Sequence, residues 1–285
     1  MSAMRVPTLP RIMIEDQVRA ALLEDLGRAG DITTDAIIPP ETKAQTALVA
    51  RKKGVVAGLD TALLAFELCD PAIRVEVAKA DGSVLAPGDT IATVAGPVRG
   101  ILTAERVALN FLCHLSGIAS ATAAVVEAVR GTKARVICTR KTMPGMRNLQ
   151  KYAVRVGGGF NHRFGLDDAV LIKDNHIAAA GGIKAAVERA RAAIGHLVKI
   201  ELEVDTLEQL EEALAVGADA VLLDNMDVEQ LRRAVAMVNG RAVLEASGGI
   251  RPENAAAIAA TGIDLLSMGW LTQGAPILDI GLDYR

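Results

Sequence analysis

At 285 residues, 51% hydrophobic and 23% charged, the chain can bury a full core as one large domain or two ordinary ones, which excludes a disordered protein. A net charge of -3 and an aromatic content of 2% exclude both a basic nucleic-acid surface and a base-stacking platform. No apolar run reaches the roughly 18 residues needed to span a bilayer, and Met1 to Arg11 has prolines where a signal peptide needs its apolar segment, so a cytoplasmic protein without membrane contact is expected.

In chain order, residues 12–24 read as a helix. Ala44 to Val56 and Arg74 to Val98 alternate in strand fashion, with turns at Asp81-Gly82 and Pro87-Gly88-Asp89. This first part is therefore α+β. Thr103 to Ser116 then places Ala104, Val107, Ala108, Phe111, Leu112 and Leu115 on one helical face, with Arg106, Asn110 and His114 opposite. The three cysteines, Cys69, Cys113 and Cys138, are widely spaced, offer no CxxC pair and are expected to be buried free thiols rather than zinc ligands.

From about Ala134 short apolar runs alternate with helix-period segments: Arg135–Cys138, Ala169–Ile172, Val198–Val204, Ala220–Leu223, Ala242–Glu245 and Asp264–Met268. The unit repeats internally: Glu208-Gln209-Leu210 precedes Ala220-Val221-Leu222, and Glu229-Gln230-Leu231 precedes Ala242-Val243-Leu244. Asp205 or Thr206 is placed to cap one helix, and Pro252 suits the first turn of another. Six β/α units with right-handed crossovers fall short of a complete eight-unit barrel, so the fold expected is α/β: an N-terminal domain followed by an open barrel. The boundary is expected near 116/117, giving domains 1–116 and 117–285, with a C-terminal segment that can return to the first domain.

One charge anomaly stands out. Between Arg140 and Lys173 the chain carries Arg140, Lys141, Arg147, Lys151, Arg155, His162, Arg163 and Lys173 against only Asp167 and Asp168. Two cations about 4 Å apart repel by roughly 4 kcal/mol at an effective dielectric near 20, so converging cations imply a bound anion. In a parallel barrel the site lies at the carboxyl ends of the strands, where helix N-termini also point N–H groups at anions. The successive strand ends are Thr139-Arg140-Lys141, Lys173-Asp174-Asn175-His176, Glu203, Asp224-Asn225, Ser247-Gly248-Gly249 and Gly269. Glu201 and Glu203 are two apart in a strand and so face the barrel interior together. Their partners there are cations, a metal, sugar hydroxyls, or simply Lys173 in a core ion pair. Ser247-Gly248-Gly249 beside Gly269 has the form of a phosphate loop, although each glycine alone reads equally as a plain turn. Lys151 and Arg155 read as a solvated helix face. His162-Arg163, in a loop after three glycines, reads as ligand contact, whereas His114 and His176 read as hydrogen-bonded structural residues.

Taken as an ordered set, these motifs carry a resemblance. Glu24-Asp25-Leu26-Gly27 with Gly30-Asp31-Ile32-Thr33, Glu105-Arg106 through Asn110 to Ser116-Gly117-Ile118-Ala119, Thr139-Arg140-Lys141-Thr142 with Pro144-Gly145, Gly157-Gly158-Gly159, Asn161-His162-Arg163, Leu171-Ile172-Lys173-Asp174-Asn175-His176, Glu201-Leu202-Glu203-Val204, Leu223-Asp224-Asn225 and Glu245-Ala246-Ser247-Gly248-Gly249 resemble quinolinate phosphoribosyltransferase over nearly the whole chain. The resemblance implies transfer of phosphoribose from phosphoribosyl pyrophosphate to quinolinate with loss of carbon dioxide, in NAD biosynthesis, with Mg2+. It implies an N-terminal α/β sandwich plus an open α/β barrel, assembled as a homodimer that shares its active sites. Carried over residue by residue, Arg140, His162, Arg163 and Lys173, with Thr139, would hold the pyridine dicarboxylate, and Arg106 would reach the site from a partner subunit. Lys141 would face the phosphoribosyl donor and Lys173 would also act in catalysis. Glu203 and Asp224 would serve ribose hydroxyls or the magnesium shell, and Ser247, Gly248, Gly249 and Gly269 would cradle the 5′-phosphate. Trp270 departs from the small residue usual after that last glycine, and its bulk either narrows the loop or packs outward. The competing readings are a paralogue acting on another aromatic acid and a non-catalytic binder of phosphorylated metabolites.

Overall fold

The computed structural model describes residues 6–284; residues 1–5, part of the proline-bearing N-terminal segment, and Arg285 lie outside the described residues. In chain order the elements are α1 (Glu15–Leu26), α2 (Ile32–Ile37), β1 (Lys43–Ala50), β2 (Gly54–Val55), α3 (Leu59–Cys69), β3 (Arg74–Val77), β4 (Val84–Leu85), β5 (Thr90–Pro97) and α4 (Val98–Ala128). There follow β6 (Arg135–Ile137), α5 (Arg147–Val156), β7 (Val170–Ile172), α6 (Asp174–Ala180), α7 (Ile183–Ala193), β8 (Ile200–Val204), α8 (Leu207–Ala215) and β9 (Ala220–Asp224). The last are α9 (Val228–Val238), β10 (Val243–Ser247), α10 (Pro252–Ala259), β11 (Leu265–Ser267), α11 (Trp270–Gln273) and β12 (Ile280–Tyr284).

The chain divides into two compact units. The first comprises Met1–Ala123, Met143–Gly158 and Gly274–Arg285, so it takes in α5 and β12 as well as the segment before residue 116. Its sheet runs β12-β1-β5-β3, all antiparallel, with Ala50 opposite Ile280 on one side of β1 and Lys43 opposite Pro97 on the other. The face of α4 read from spacing is buried throughout, from Ala104 to Leu115, while Arg106 and Asn110 are exposed. By length and composition α4 is apolar enough to cross a membrane, although it contains no unbroken apolar run of that length, but 61% of the stretch concerned is buried inside the fold, as in a core helix. All three cysteines are free, and only Cys138 is fully buried, so the expectation of buried thiols holds for that one alone.

The second unit, Ala124–Thr142 and Gly159–Gln273, holds the six parallel strands in the order β6-β11-β10-β9-β8-β7. The first strand pairs with the last, which is how a sheet wraps into a barrel; β6 and β7 stay apart, so the barrel is open there, and Ile137 bridges instead to Phe160. In β8, Ile200, Leu202 and Val204 are buried, while Glu201 and Glu203 take the opposite, interior face. Around the strands, Leu210 and Ala213 of α8 and Leu231 and Ala234 of α9 bury the apolar stripe that gives each helix its place. A fully buried Leu is worth about 1.5–3 kcal/mol.

The internal repeat is explained by capping. Gln209 N–H donates to Thr206 Oγ1 (3.2 Å) and the Gln209 side chain accepts from Asp205 N–H (2.7 Å); Gln230 N–H donates to Asp227 Oδ1 (2.8 Å) and its side chain accepts from Asp227 N–H (2.9 Å). The recurring Gln-Leu pair thus supplies a cap closure followed by a core residue. Thr206→Ala and Asp227→Ala are each expected to lower unfolding stability by about 1 kcal/mol, additively because they cap separate helices, as read from urea midpoints at unchanged slope.

Candidate active site

The carboxyl ends of the six strands converge on a cavity of about 350 Å³. The segment after β6 supplies Thr139, Arg140 and Lys141, and the loop before β7 supplies His162 and Arg163. Lys173 follows β7, Glu203 comes from β8, Asp224 ends β9 and Ser247 ends β10, all lining the same space. Residues 108 positions apart in sequence therefore share one small volume because each stands at the same end of a parallel strand.

Two guanidiniums crowd this wall. Burial and the neighbouring Arg140 cation both lower the pKa of Arg163, against the opposing pull of Asp168 and Glu201, and Arg163 Nη1 donates to the Ala169 carbonyl (3.1 Å). Lys173 Nζ donates to Glu203, whose side chain is only 15% exposed, so the core ion pair considered from sequence is formed with Glu203. Glu201 turns to a different partner. His162 Nδ1 accepts the Arg163 backbone N–H (2.7 Å), which leaves Nε2 to carry the ring N–H and direct it to Glu201 Oε2 (2.8 Å). Both ring nitrogens of His162 thus meet protein partners at the cavity wall.

Glu245 is the residue that spacing missed. The apolar run ends at Glu245, whereas β10 continues to Ser247, and period-two alternation from Ser247 turns Glu245 to the same interior face. Its side chain is 1% exposed, and neither carboxyl oxygen has a hydrogen-bond partner, the Ser267 hydroxyl being engaged by the Ala246 carbonyl (3.4 Å). Burial first, and the Glu201 charge second, hold its carboxyl well above the ordinary carboxylate range. Ser267 also lines the cavity unanticipated.

The glycines lie at the edge of this lining rather than within it. Gly248 has φ +96, and a Cβ there would stand 2.1 Å from Asn225 Oδ1, so only glycine allows the turns after β9 and β10 to approach this closely. The two turns are further stitched by Asn225 N–H to the Ser247 carbonyl (2.9 Å) and by Asn225 Nδ2 to Asp224 Oδ2 (2.7 Å). At Gly269 a Cβ would stand 2.7 Å from Lys141 Cδ, so this position leaves the lysine its path. Gly249 carries φ +60 in the same turn. Trp270 packs beside the neighbouring turn: its Nε1–H donates to the Ile250 carbonyl (2.9 Å) and its ring lies 5.4 Å from the Arg251 guanidinium.

Other expected residues lie elsewhere. Arg106 is exposed on α4 of the first unit. Lys151, read as solvated, is fully buried on α5, and Arg147 and Arg155 are partly buried; helical charge spacing does not reveal what packs over a helix. His114 Nε2 accepts from the Gln150 amide (2.9 Å), and His176 Nδ1 accepts the Lys173 backbone N–H (2.9 Å) at the start of α6.

Fold and site together define an α/β-barrel enzyme built around an anionic substrate. The N-terminal domain model of quinolinate phosphoribosyl transferase matches residues 31–116 and the C-terminal domain model matches residues 118–283. A carboxylating nicotinate-nucleotide pyrophosphorylase of Mycobacterium leprae is 51% identical over 273 residues, covering 94% of this chain and 96% of its own. The crystal structure of NadC from Streptococcus pyogenes superposes with a TM-score of 0.93 at 44% identity, covering 98% of this chain and 99% of that one. The nicotinate-nucleotide pyrophosphorylase of Francisella tularensis does so with a TM-score of 0.94 at 38% identity over the full length of both. The chain belongs to the quinolinate phosphoribosyl transferase family.

The buried carboxyl gives a pH signature. Because the folded pKa of Glu245 is raised, the stability it permits is fully present below the unfolded carboxyl value and is lost as pH rises to and through the folded one, by up to about 1.4 kcal/mol per pH unit. Glu245→Gln should remove that decline, so the variant gains on the wild type with rising pH in denaturation series between acid and neutral conditions.

Proposed function

We propose that this protein transfers the phosphoribosyl group of phosphoribosyl pyrophosphate to quinolinate and decarboxylates the adduct, giving nicotinate mononucleotide, carbon dioxide and pyrophosphate in NAD biosynthesis. The observation that carries this reading is the pair of crowded guanidiniums, Arg140 and Arg163, facing one cavity with Lys141 and Lys173. A dicarboxylate on one side and a pyrophosphate on the other supply the negative charge that such a wall calls for. In this reading Arg140, Arg163 and Lys173, with Thr139, hold the pyridine carboxylates, and His162 shapes the floor beneath them. Quinolinate competes with Glu203 for the Lys173 ammonium. Arg106 of a second copy completes the pocket, which makes a homodimer the working form, in the cytoplasm and without nucleic-acid or membrane partners.

The chemistry follows from where charge develops. As the bond from the anomeric carbon to pyrophosphate breaks and the bond to the pyridine nitrogen forms, positive charge spreads over the ribose ring, and Glu203 and Asp224 are the carboxylates beside it. Lys141 meets the departing oxygens, and Ser247 with Gly248, Gly249 and Gly269 receives the 5′-phosphate. The pyridinium nitrogen then accepts the electron pair left on the ring carbon as carbon dioxide departs, and that carbon takes up a proton. The arginines must therefore orient the carboxylates without over-stabilising the one that leaves.

Glu203 and Asp224, on neighbouring strands, offer the hard oxygen donors that Mg2+ takes when most of its shell is phosphate and water. They would hold Mg2+ brought with the diphosphate, where it neutralises leaving-group charge.

Purified protein given quinolinate, phosphoribosyl pyrophosphate and Mg2+ should release carbon dioxide, and none from folded dimer would overturn the assignment. Nicotinic acid should be a poor substrate because losing one carboxylate leaves a cation of the crowded wall unmatched. Arg106→Ala and Lys173→Ala, each inactive alone, should regain activity when mixed into heterodimers; verified heterodimers without activity would place Arg106 outside the site.

A further inference from the structure

Beneath the substrate cavity lies a second hollow of about 350 Å³, and His162, Arg163 and Glu245 line both, so these side chains form the partition between them. Glu201 lines the lower hollow and reaches His162 from β8, while Glu245 reaches it from β10, with β9 between the two strands. His162 Nε2 is 2.8 Å from Glu201 Oε2 and 3.7 Å from Glu245 Oε2, and the His162 and Glu201 side chains are 12% and 13% exposed.

This arrangement has two chemical readings, and the imidazole decides between them. The three side chains offer ligand atoms all within 4.8 Å of one another, as a small metal site would. A metal-binding Nε2 must present a lone pair, however, and the Arg163 N–H already donates to Nδ1 of the same ring (2.7 Å). An imidazole whose Nδ1 accepts carries its proton on Nε2, which then donates and cannot ligate. The cluster is built around a proton rather than a cation.

We propose that Glu201 and Glu245 are positioning residues for the pocket: Glu201 takes the Nε2–H of His162 and so holds the ring in the tautomer whose Nδ1 receives the Arg163 amide, while Glu245 closes the floor behind it. The Arg163 backbone is pinned from below by this ring and its guanidinium from the side by the Ala169 carbonyl, which leaves the side chain little freedom to move from the cavity wall. A buried carboxyl pair thus sets the place of a cation that touches substrate, without touching substrate itself.

The proposal deepens the quinolinate reading, and its structural core is tested without substrate. In full-length protein carrying 15N-histidine, with the His162 signals identified by their loss in His162→Gln, the imidazole should show a protonated Nε2 and an unprotonated Nδ1. A proton on Nδ1 would overturn the proposal, and the wild-type spectrum decides this even if a variant fails to fold. Glu201→Leu should disturb the tautomer and weaken quinolinate binding about tenfold while leaving phosphoribosyl pyrophosphate binding unchanged. Glu201→Gln, whose amide oxygen still accepts, should restore both. An undisturbed tautomer in folded Glu201→Leu would remove Glu201 from the role. Zinc bound to wild-type protein in a one-to-one ratio and lost in Glu245→Gln would instead establish the metal reading. Should the tautomer be as stated while no form of the protein binds quinolinate, the assigned function falls and the positioning role stands.

Discussion

Charge of both signs packed into one small hydrophobic frame is the constraint on which this molecule turns. Arg140, Lys141, Arg163 and Lys173 share a cavity with Glu203, Asp224 and Glu245, at the ends of strands whose buried residues are mostly apolar. A buried charge is tolerable only with a partner or a ligand. Some of these charges satisfy one another, as Lys173 and Glu203 do, and some crowd like charges, as Arg140 and Arg163 do. The same small space therefore holds both compensated and crowded charge.

The barrel makes this tolerable by separating two jobs along each strand. In β8, Ile200, Leu202 and Val204 anchor the strand beneath the helices, and Glu201 and Glu203 face the interior at two successive depths. The deeper carboxylate engages His162 and the shallower one engages Lys173. Depth along a strand thus separates the carboxylate that lines the lower hollow from the one that lines the cavity above it. The turns at the strand ends are fixed by contacts of a different kind, such as Asn225 against Gly248 and Trp270 against the Ile250 carbonyl, so the rim is held without charge.

Much of this was legible beforehand, because periodicity and capping are local. The six strands, the buried face of α4, the cap at Thr206, and the placement of Glu203, Asp224 and Ser247 at strand ends all follow from alternation and short-range hydrogen bonding. What escaped has physical causes. The helix α3, Leu59–Cys69, is apolar on nearly all sides, so no contrast between faces announced it. Glu245 hid at what looked like the end of a strand, and Lys151 carried a charge at a surface-like spacing on a helix whose cover comes from distant sequence.

The amino-acid order alone determined the β/α rhythm, the sign of the charge gathered between Arg140 and Lys173, and the ordered motifs that mark the family. Tertiary structure alone decided which of those charges share a cavity. It left Lys151 buried outside the cavity, and it turned His162 inward to a carboxyl pair that no local pattern linked to it. The reason is that the His162–Glu201 hydrogen bond joins residues 39 positions apart, one in a loop and one on β8, which only the assembled sheet brings together rather than any segment read on its own.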